Sequence, residues 1–156
     1  MFQFPNINPI AVDLGLVKIS WYALSYVAGI LSSWYLIIKI IKMKKIKINN
    51  KIINDLICNC MIGIILGGRL GYVTFYNPEY YFNNLIEIFK IWNGGMSFHG
   101  GFIGVILAII YSSRTLKIPI MLFSDLVATV SPIGIFFGRI ANFINGELFG
   151  RVTNHN

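Results

Sequence analysis

Long apolar runs alternate with short polar ones along the chain, and their lengths predict helices that cross a bilayer. Such a helix needs about 20 apolar residues to bridge the hydrocarbon core. Four runs approach that length: Ser20 to Ile41, Leu56 to Tyr76, Met96 to Ser113 and Ile118 to Ile144. The first carries no formal charge from Ser20 to Ile38. The second is interrupted by Arg69, and the fourth contains Asp125 and Arg139. The third is short and leaves little room for tilt. The pattern predicts an all-α fold: a polytopic integral membrane protein with about four transmembrane helices, residues 1–156 forming one membrane-embedded domain. The N-terminus lacks a charged stretch followed by a short apolar one, so a cleavable signal peptide is not expected.

Composition supports lipid as the solvent. Only 12% of the 156 residues are charged, against about 25% in a typical soluble domain. The net charge of +7 raises nucleic acid as a partner. The basic residues are not spread over a soluble surface, however; six of the thirteen fall between Lys39 and Lys51. A basic cluster beside an apolar span is a topology signal and a contact for anionic membrane lipid. No nucleic-acid partner is expected. The loops KIIKMKKIKINNK (39–51) and SSRTLK (112–117) are both basic, which places both in the cytoplasm. The N-terminus, the segment from about 77 to 95 and the tail after 144 then lie outside. Cys58 and Cys60 are spaced i, i+2 on different sides of a helix and read as small buried hydrophobes, so no metal site is expected.

This orientation collects polar groups at one depth. His99 falls at the outer end of span three, Arg69 in the outer half of span two and Arg139 in the outer third of span four. Asn142, Asn145 and Glu147 follow Arg139 at the boundary. An ionisable residue within a membrane is a functional-site hypothesis, because an unpaired charge there is costly. Arg69 has an alternative reading as a snorkelling or structurally paired residue. Arg139 and Asn142 share a helix face at i, i+3, and a guanidinium there can hold a lipid phosphate with two parallel hydrogen bonds. His99 is flanked by Gly94, Gly95, Gly100 and Gly101. Glycine permits close approach of backbone or ligand, and imidazole takes up a proton near neutral pH. Gly63, Gly67 and Gly71 form a stripe of small residues, and Gly100 with Gly104 and Gly134 with Gly138 repeat the spacing; such stripes suit close helix packing. Pro132 is expected to kink span four. Asp125 reads as a structural acid remote from the outer cluster.

Four blocks carry a resemblance to a known family: WYALSYVAG (21–29), GGRLGYVTFY (67–76), WNGGMSFHGGFIG (92–104) and GRIANFINGELFGR (138–151). Together they resemble the bacterial prolipoprotein diacylglyceryl transferases, in order and with similar spacing over nearly the whole chain. The last block is the most specific. The resemblance implies an inner-membrane, multi-pass enzyme with its N-terminus outside the cytoplasm and no cofactor. It implies transfer of the diacylglyceryl group of phosphatidylglycerol to the lipobox cysteine of a prolipoprotein signal peptide, forming a thioether and releasing glycerol 1-phosphate. It further implies His99, Arg139 and Glu147 as catalytic residues, His99 being the candidate for activating the thiol and Arg139 for holding the phosphate. Arg139, Asn142, Tyr22 and Gly150 are implied in substrate binding, with Tyr72 and Tyr76 as weaker candidates. Ala141 and Phe149 depart mildly from the family, which has glycine and tryptophan there.

The family's chains are longer, so residues 1–156 are expected to be the N-terminal part of a longer enzyme or a natural truncation. A non-catalytic remnant and a transporter or channel fragment are the competing readings, the latter because intramembrane arginines and broken glycine-rich segments also occur in transporters. No two halves of the sequence repeat each other visibly, which weighs against a transporter.

Overall fold

The structure is a computed structural model that describes residues 7–13, 15 and 18–147. The protein is a multi-pass membrane protein. Among the described residues, four helices are long and apolar enough to span a bilayer: α1 (Trp21–Met43), α2 (Asn50–Phe75), α4 (Phe98–Leu116) and α5 (Ile120–Ile144). A short helix, α3 (Pro78–Asn83), and two 3-10 turns, Leu85–Phe89 and Ile91–Asn93, fill the connection between α2 and α4. Before α1, strands β1 (Ile10–Asp13) and β2 (Lys18–Ser20) form an antiparallel hairpin, which the apolar pattern did not predict. Many large apolar side chains on the long helices are exposed, among them Leu31, Leu66, Phe102 and Ile135. In a bilayer these face acyl chains, so their exposure carries no penalty.

Local chemistry sets the helix ends. Ser20 Oγ accepts from the Ala23 amide at 3.2 Å and starts α1. Asn49 Oδ1 accepts from the Lys51 amide at 3.0 Å and starts α2. Each satisfies one of the amides that a helix N-terminus leaves without a partner. The two loops expected to be cytoplasmic are therefore mostly helical. α1 continues through Met43 and α2 begins at Asn50, so only 44–49 connects them. α4 runs to Leu116 and ends at Lys117 in the left-handed region (φ +55°), after which Pro119 precedes α5.

The described chain forms two compact units. One comprises Ile41–Leu126 and is organised around α2 packed on α4. Ile53, Leu56 and Phe123 are fully buried in it. The α2–α4 seam is built from the predicted glycines. A Cβ added at Gly71 would lie 2.8 Å from the Cα of Gly100, and one at Gly67 would lie 3.0 Å from the Cα of Gly104. A Cβ at Gly63 would overlap the Gly104 carbonyl. Only hydrogen fits at these positions, and backbones approach at van der Waals distance. Asn59 Nδ2 donates to the Oγ of fully buried Ser112 at 2.9 Å, which pins the register of the pair nearer its other end.

The second unit comprises Met1–Ile40 and Val127–Asn156. Here Gly29 of α1 meets α5: a Cβ on Gly29 would lie 3.3 Å from the Cα of Gly134. Ile37, Val130 and Ala141 are buried in this unit. The expected Gly134–Gly138 stripe is corrected: a Cβ on either would meet no described atom within 4 Å. The Cα of Gly134 and the ring of Phe137 serve the contact with Gly29, whereas the Cβ direction of Gly134 meets nothing described. Asp125, in the Ile41–Leu126 unit, is exposed on α5.

Candidate functional site

His99 is the second residue of α4, and its position is set from α2. The chain reaches it through Gly94 (φ +81°) and Gly95 (φ +84°), a left-handed pair that a side chain would strain. Gly95 also lies against the ring of Tyr72, whose Cδ1 would be 2.7 Å from an added Cβ. Met96 then covers Gly68, where an added Cβ would come 2.7 Å from Met96 Cε. The Ser97 amide donates to the Gly68 carbonyl at 2.9 Å. The Ser97 hydroxyl, buried at 4% exposure, accepts from the Gly100 amide at 3.2 Å and caps α4. His99 follows on the exposed side of the first helical turn, its ring edge-on to Phe98 with centroids 5.7 Å apart. Its imidazole makes no hydrogen bond to any described residue and is open to a ligand.

Arg69 lies at the same level and is occupied. It is 4% exposed. Its Nε donates to the Ile88 carbonyl at 2.8 Å. Nη1 donates to Gly94 at 2.5 Å and Gly95 at 3.3 Å. Nη2 donates to Glu87 at 2.5 Å and Lys90 at 3.2 Å. A guanidinium carries five N–H groups, so every donor is used on a backbone carbonyl. The plane also lies over the ring of Tyr81, 5.2 Å from its centroid, a favourable cation–π geometry. Of the two sequence readings of Arg69, the structure supports the structural one. The Lys90 ammonium pairs with the Glu87 carboxylate at 2.5 Å. The aromatic residues beside this segment pack on one another: Tyr72 stacks on Tyr76 at 5.2 Å and meets Tyr81 edge-on at 6.3 Å. Tyr76 is exposed, and Tyr72 is half-buried.

In the other unit, Arg139 lies on the exposed side of α5, five residues before the helix ends. Unlike Arg69, it makes no hydrogen bond or ion pair with a described residue. Asn142, one turn on, is half-buried. α5 then closes in a left-handed cap. The Gly146 amide (φ +67°) donates to the Phe143 carbonyl at 3.1 Å, and the Glu147 amide donates to Asn142 at 2.8 Å. This pair of bonds satisfies the last carbonyls and stops the helix at the Asn-Gly of the NGE motif. The Glu147 side chain is exposed and accepts from Asn145 Nδ2 at 3.4 Å. The Oδ1 of Asn145 is buried without a hydrogen-bond partner among the described residues. Tyr22 is half-buried in the first turn of α1, with Tyr26 tilted against it at 5.4 Å. Gly150 and Phe149 lie outside the described residues.

Residues 9–156 match the family model described as prolipoprotein diacylglyceryl transferase. The chain belongs to the prolipoprotein diacylglyceryl transferase family. Among its relatives is the phosphatidylglycerol–prolipoprotein diacylglyceryl transferase of Rickettsia akari (strain Hartford), 56% identical over 151 residues. The proteins of the same name from Rickettsia canadensis (strain McKiel) and Rickettsia felis (strain ATCC VR-1525 / URRWXCal2) are each 55% identical over 151 residues. Each alignment covers 97% of this chain and 58% of the relative. The chain thus spans somewhat more than half the length of these transferases. Within it, the sequence-predicted residues fall into two groups: His99, Tyr72 and Tyr76 in the α2–α4 unit, and Tyr22, Arg139, Asn142 and Glu147 in the α1–α5 unit.

The sequence did not foresee how Arg69 organises the 87–95 segment. The signal was an arginine in one apolar run followed by a glycine pair that presents bare carbonyls before the next. A buried arginine needs many acceptors, and Gly94–Gly95 together with the 3-10 turns provide them.

Proposed function

We propose that this chain carries the active-site residues of a phosphatidylglycerol–prolipoprotein diacylglyceryl transferase in the bacterial inner (plasma) membrane, with the N-terminus outside the cytoplasm. The observation that carries the reading is the family match over residues 9–156. The contrast between Arg69, held by five backbone carbonyls, and His99 and Arg139, which have no hydrogen-bond partner among the described residues, supports the assignment of roles. The basic residues at 39–51 and 112–117 support the orientation.

In this reading the lipobox cysteine of a prolipoprotein signal peptide is the nucleophile. Its thiol, with a pKa near 8.5, needs a base to become a thiolate. His99 takes the proton, and the exposed first turn of α4 is open to the substrate. The sulfur then attacks the glycerol carbon of phosphatidylglycerol that bears the phosphate. A C–S bond forms and the C–O bond to phosphate breaks. Glycerol 1-phosphate leaves with the electron pair, and the proton held on His99 passes to it or to water. Arg139 stabilises the charge that grows on the leaving phosphate, its guanidinium making no hydrogen bond to a described residue and able to grip a phosphate in two places. Asn142 and Tyr22 contact the lipid, as do Gly150, Tyr72 and Tyr76, and Glu147 orients the groups around Arg139.

The test is the mass of a lipobox peptide incubated with phosphatidylglycerol and membranes containing the full-length product of the gene. A gain of one diacylglyceryl group on the cysteine upholds the reading. No gain, with the same peptide modified by an R. akari homologue in parallel, overturns it.

A further inference from the structure

We propose that Arg69 is a positioning residue for His99: it fixes the strap 87–95 so that the imidazole is presented at one place on the first turn of α4. The inference rests on the transfer reading for the role of His99, although its geometry stands apart from it.

Three successive attachments lead from Arg69 to His99. The guanidinium holds the Gly94 and Gly95 carbonyls. Its neighbour Gly68 receives the Met96 side chain against its bare Cα. The Gly68 carbonyl takes the Ser97 amide at 2.9 Å. Ser97 then caps the helix in which His99 is second. The dipeptide Gly68–Arg69 therefore grips four consecutive residues, 94 to 97, and the fifth and sixth are Phe98 and His99. At its other end the guanidinium holds Glu87, Ile88 and Lys90, so the strap is closed into a loop around one side chain. Gly95 is held from a second direction by the Tyr72 ring. Since all five N–H groups are committed, Arg69 has no donor left for a substrate phosphate. Its effect on transfer must pass through the strap.

A lysine has three donors on a point charge, and it would leave at least two of the five carbonyls without a partner. Arg69→Lys is therefore the informative substitution. Misplacing a catalytic group by about 1 Å lowers turnover about a hundredfold. At matched amounts of membrane protein, R69K is expected to lower kcat by about that factor and to leave KM for phosphatidylglycerol within about twofold, since uniform binding is untouched. In a His99→Ala background the same substitution is expected to add little, because residues acting through one another are not additive. Amide hydrogen exchange across 94–99 is expected to quicken in R69K.

Should R69K fail to accumulate, Gly95→Ala strains the same strap with Arg69 intact and is expected to give the same kcat loss. An equal loss from R69K with and without His99, a rise in KM alone, or unchanged exchange at 94–99 would each overturn the proposal. If the unsubstituted protein transfers no lipid, the transferase reading fails. Exchange then decides the strap alone: quickening across 94–99 sustains Arg69 as the residue that places His99, and its absence rejects it.

Discussion

The Ser97 amide donates to the Gly68 carbonyl at 2.9 Å, one residue away from the buried Arg69. This bond crosses from the start of α4 to α2, two residues before His99. It also explains why Ser97 is buried although serine is a polar residue: its hydroxyl is spent on the Gly100 amide.

Ser97→Ala removes the cap and keeps the crossing backbone bond. Losing a serine N-cap to alanine costs about 1 kcal/mol, whereas glycine at the same place costs only a few tenths. Thermal unfolding in mild detergent is expected to rank the proteins wild type, Ser97→Gly, Ser97→Ala. If the alanine variant matches the wild type, Ser97 does not cap α4.

The glycine stripes are chemically alike in sequence and different in the structure, so substitution separates them. Gly67→Ala places a methyl against the Gly100 carbonyl, and such overpacking costs about 1–3 kcal/mol. Gly134→Ala meets nothing within 4 Å, and replacing a helical glycine by alanine gains up to about 1 kcal/mol. The melting temperature should fall for the first and hold or rise for the second. A fall for both would mean that α5 packs through its own Cβ direction at Gly134.

Those two stripes show how far the sequence carries the fold. Four spans were legible because apolar length alone reports a membrane helix. The glycine faces of the α2–α4 seam were legible because three glycines at i, i+4 spacing have few other uses, although the sequence did not say which helices they join. Gly134 and Gly138 have the same spacing, and sequence cannot tell which way their Cβ directions point. Likewise, the ionisable residues within the spans were legible, yet which of them is engaged by the protein's own backbone was not. Arg69 and Arg139 look alike as intramembrane cations. Arg69 is engaged because five backbone carbonyls converge on it, which depends on how 87–95 folds. The hairpin Ile10–Asp13 with Lys18–Ser20 was missed because four- and three-residue strands leave too short an alternation to register.

For the proposed chemistry, His99→Ala and Arg139→Ala test separate steps. General-base catalysis contributes about 10²–10⁴-fold, so His99→Ala is expected to lower transfer by that range while lipid binding persists. Arg139→Lys keeps the charge and loses the fork that grips a phosphate in two places. It is expected to retain partial transfer, whereas Arg139→Ala is expected to lose nearly all of it. The readout is the rate of mass gain on a lipobox peptide at matched protein. Full transfer by both alanine variants would remove these residues from the site.

Gly146 shapes the backbone beside the proposed site residues of α5. Its φ of +67° turns the chain at the end of α5, and the Glu147 amide can then reach back to the Asn142 carbonyl. A non-glycine residue in this conformation costs about 1–2 kcal/mol, and the helix gains a reason to continue by another turn. That continuation would carry Glu147 away from Asn142. Gly146→Ala is therefore expected to lower thermal stability by a few degrees and to lower transfer further than the stability loss explains. Asparagine tolerates the left-handed region and serves as a helix stop, so Gly146→Asn is expected to recover most of both. Recovery of stability without recovery of transfer would show that this turn needs glycine for a close approach of substrate. Equal behaviour of the alanine and asparagine variants would show that the conformation at Gly146 does not matter to the site.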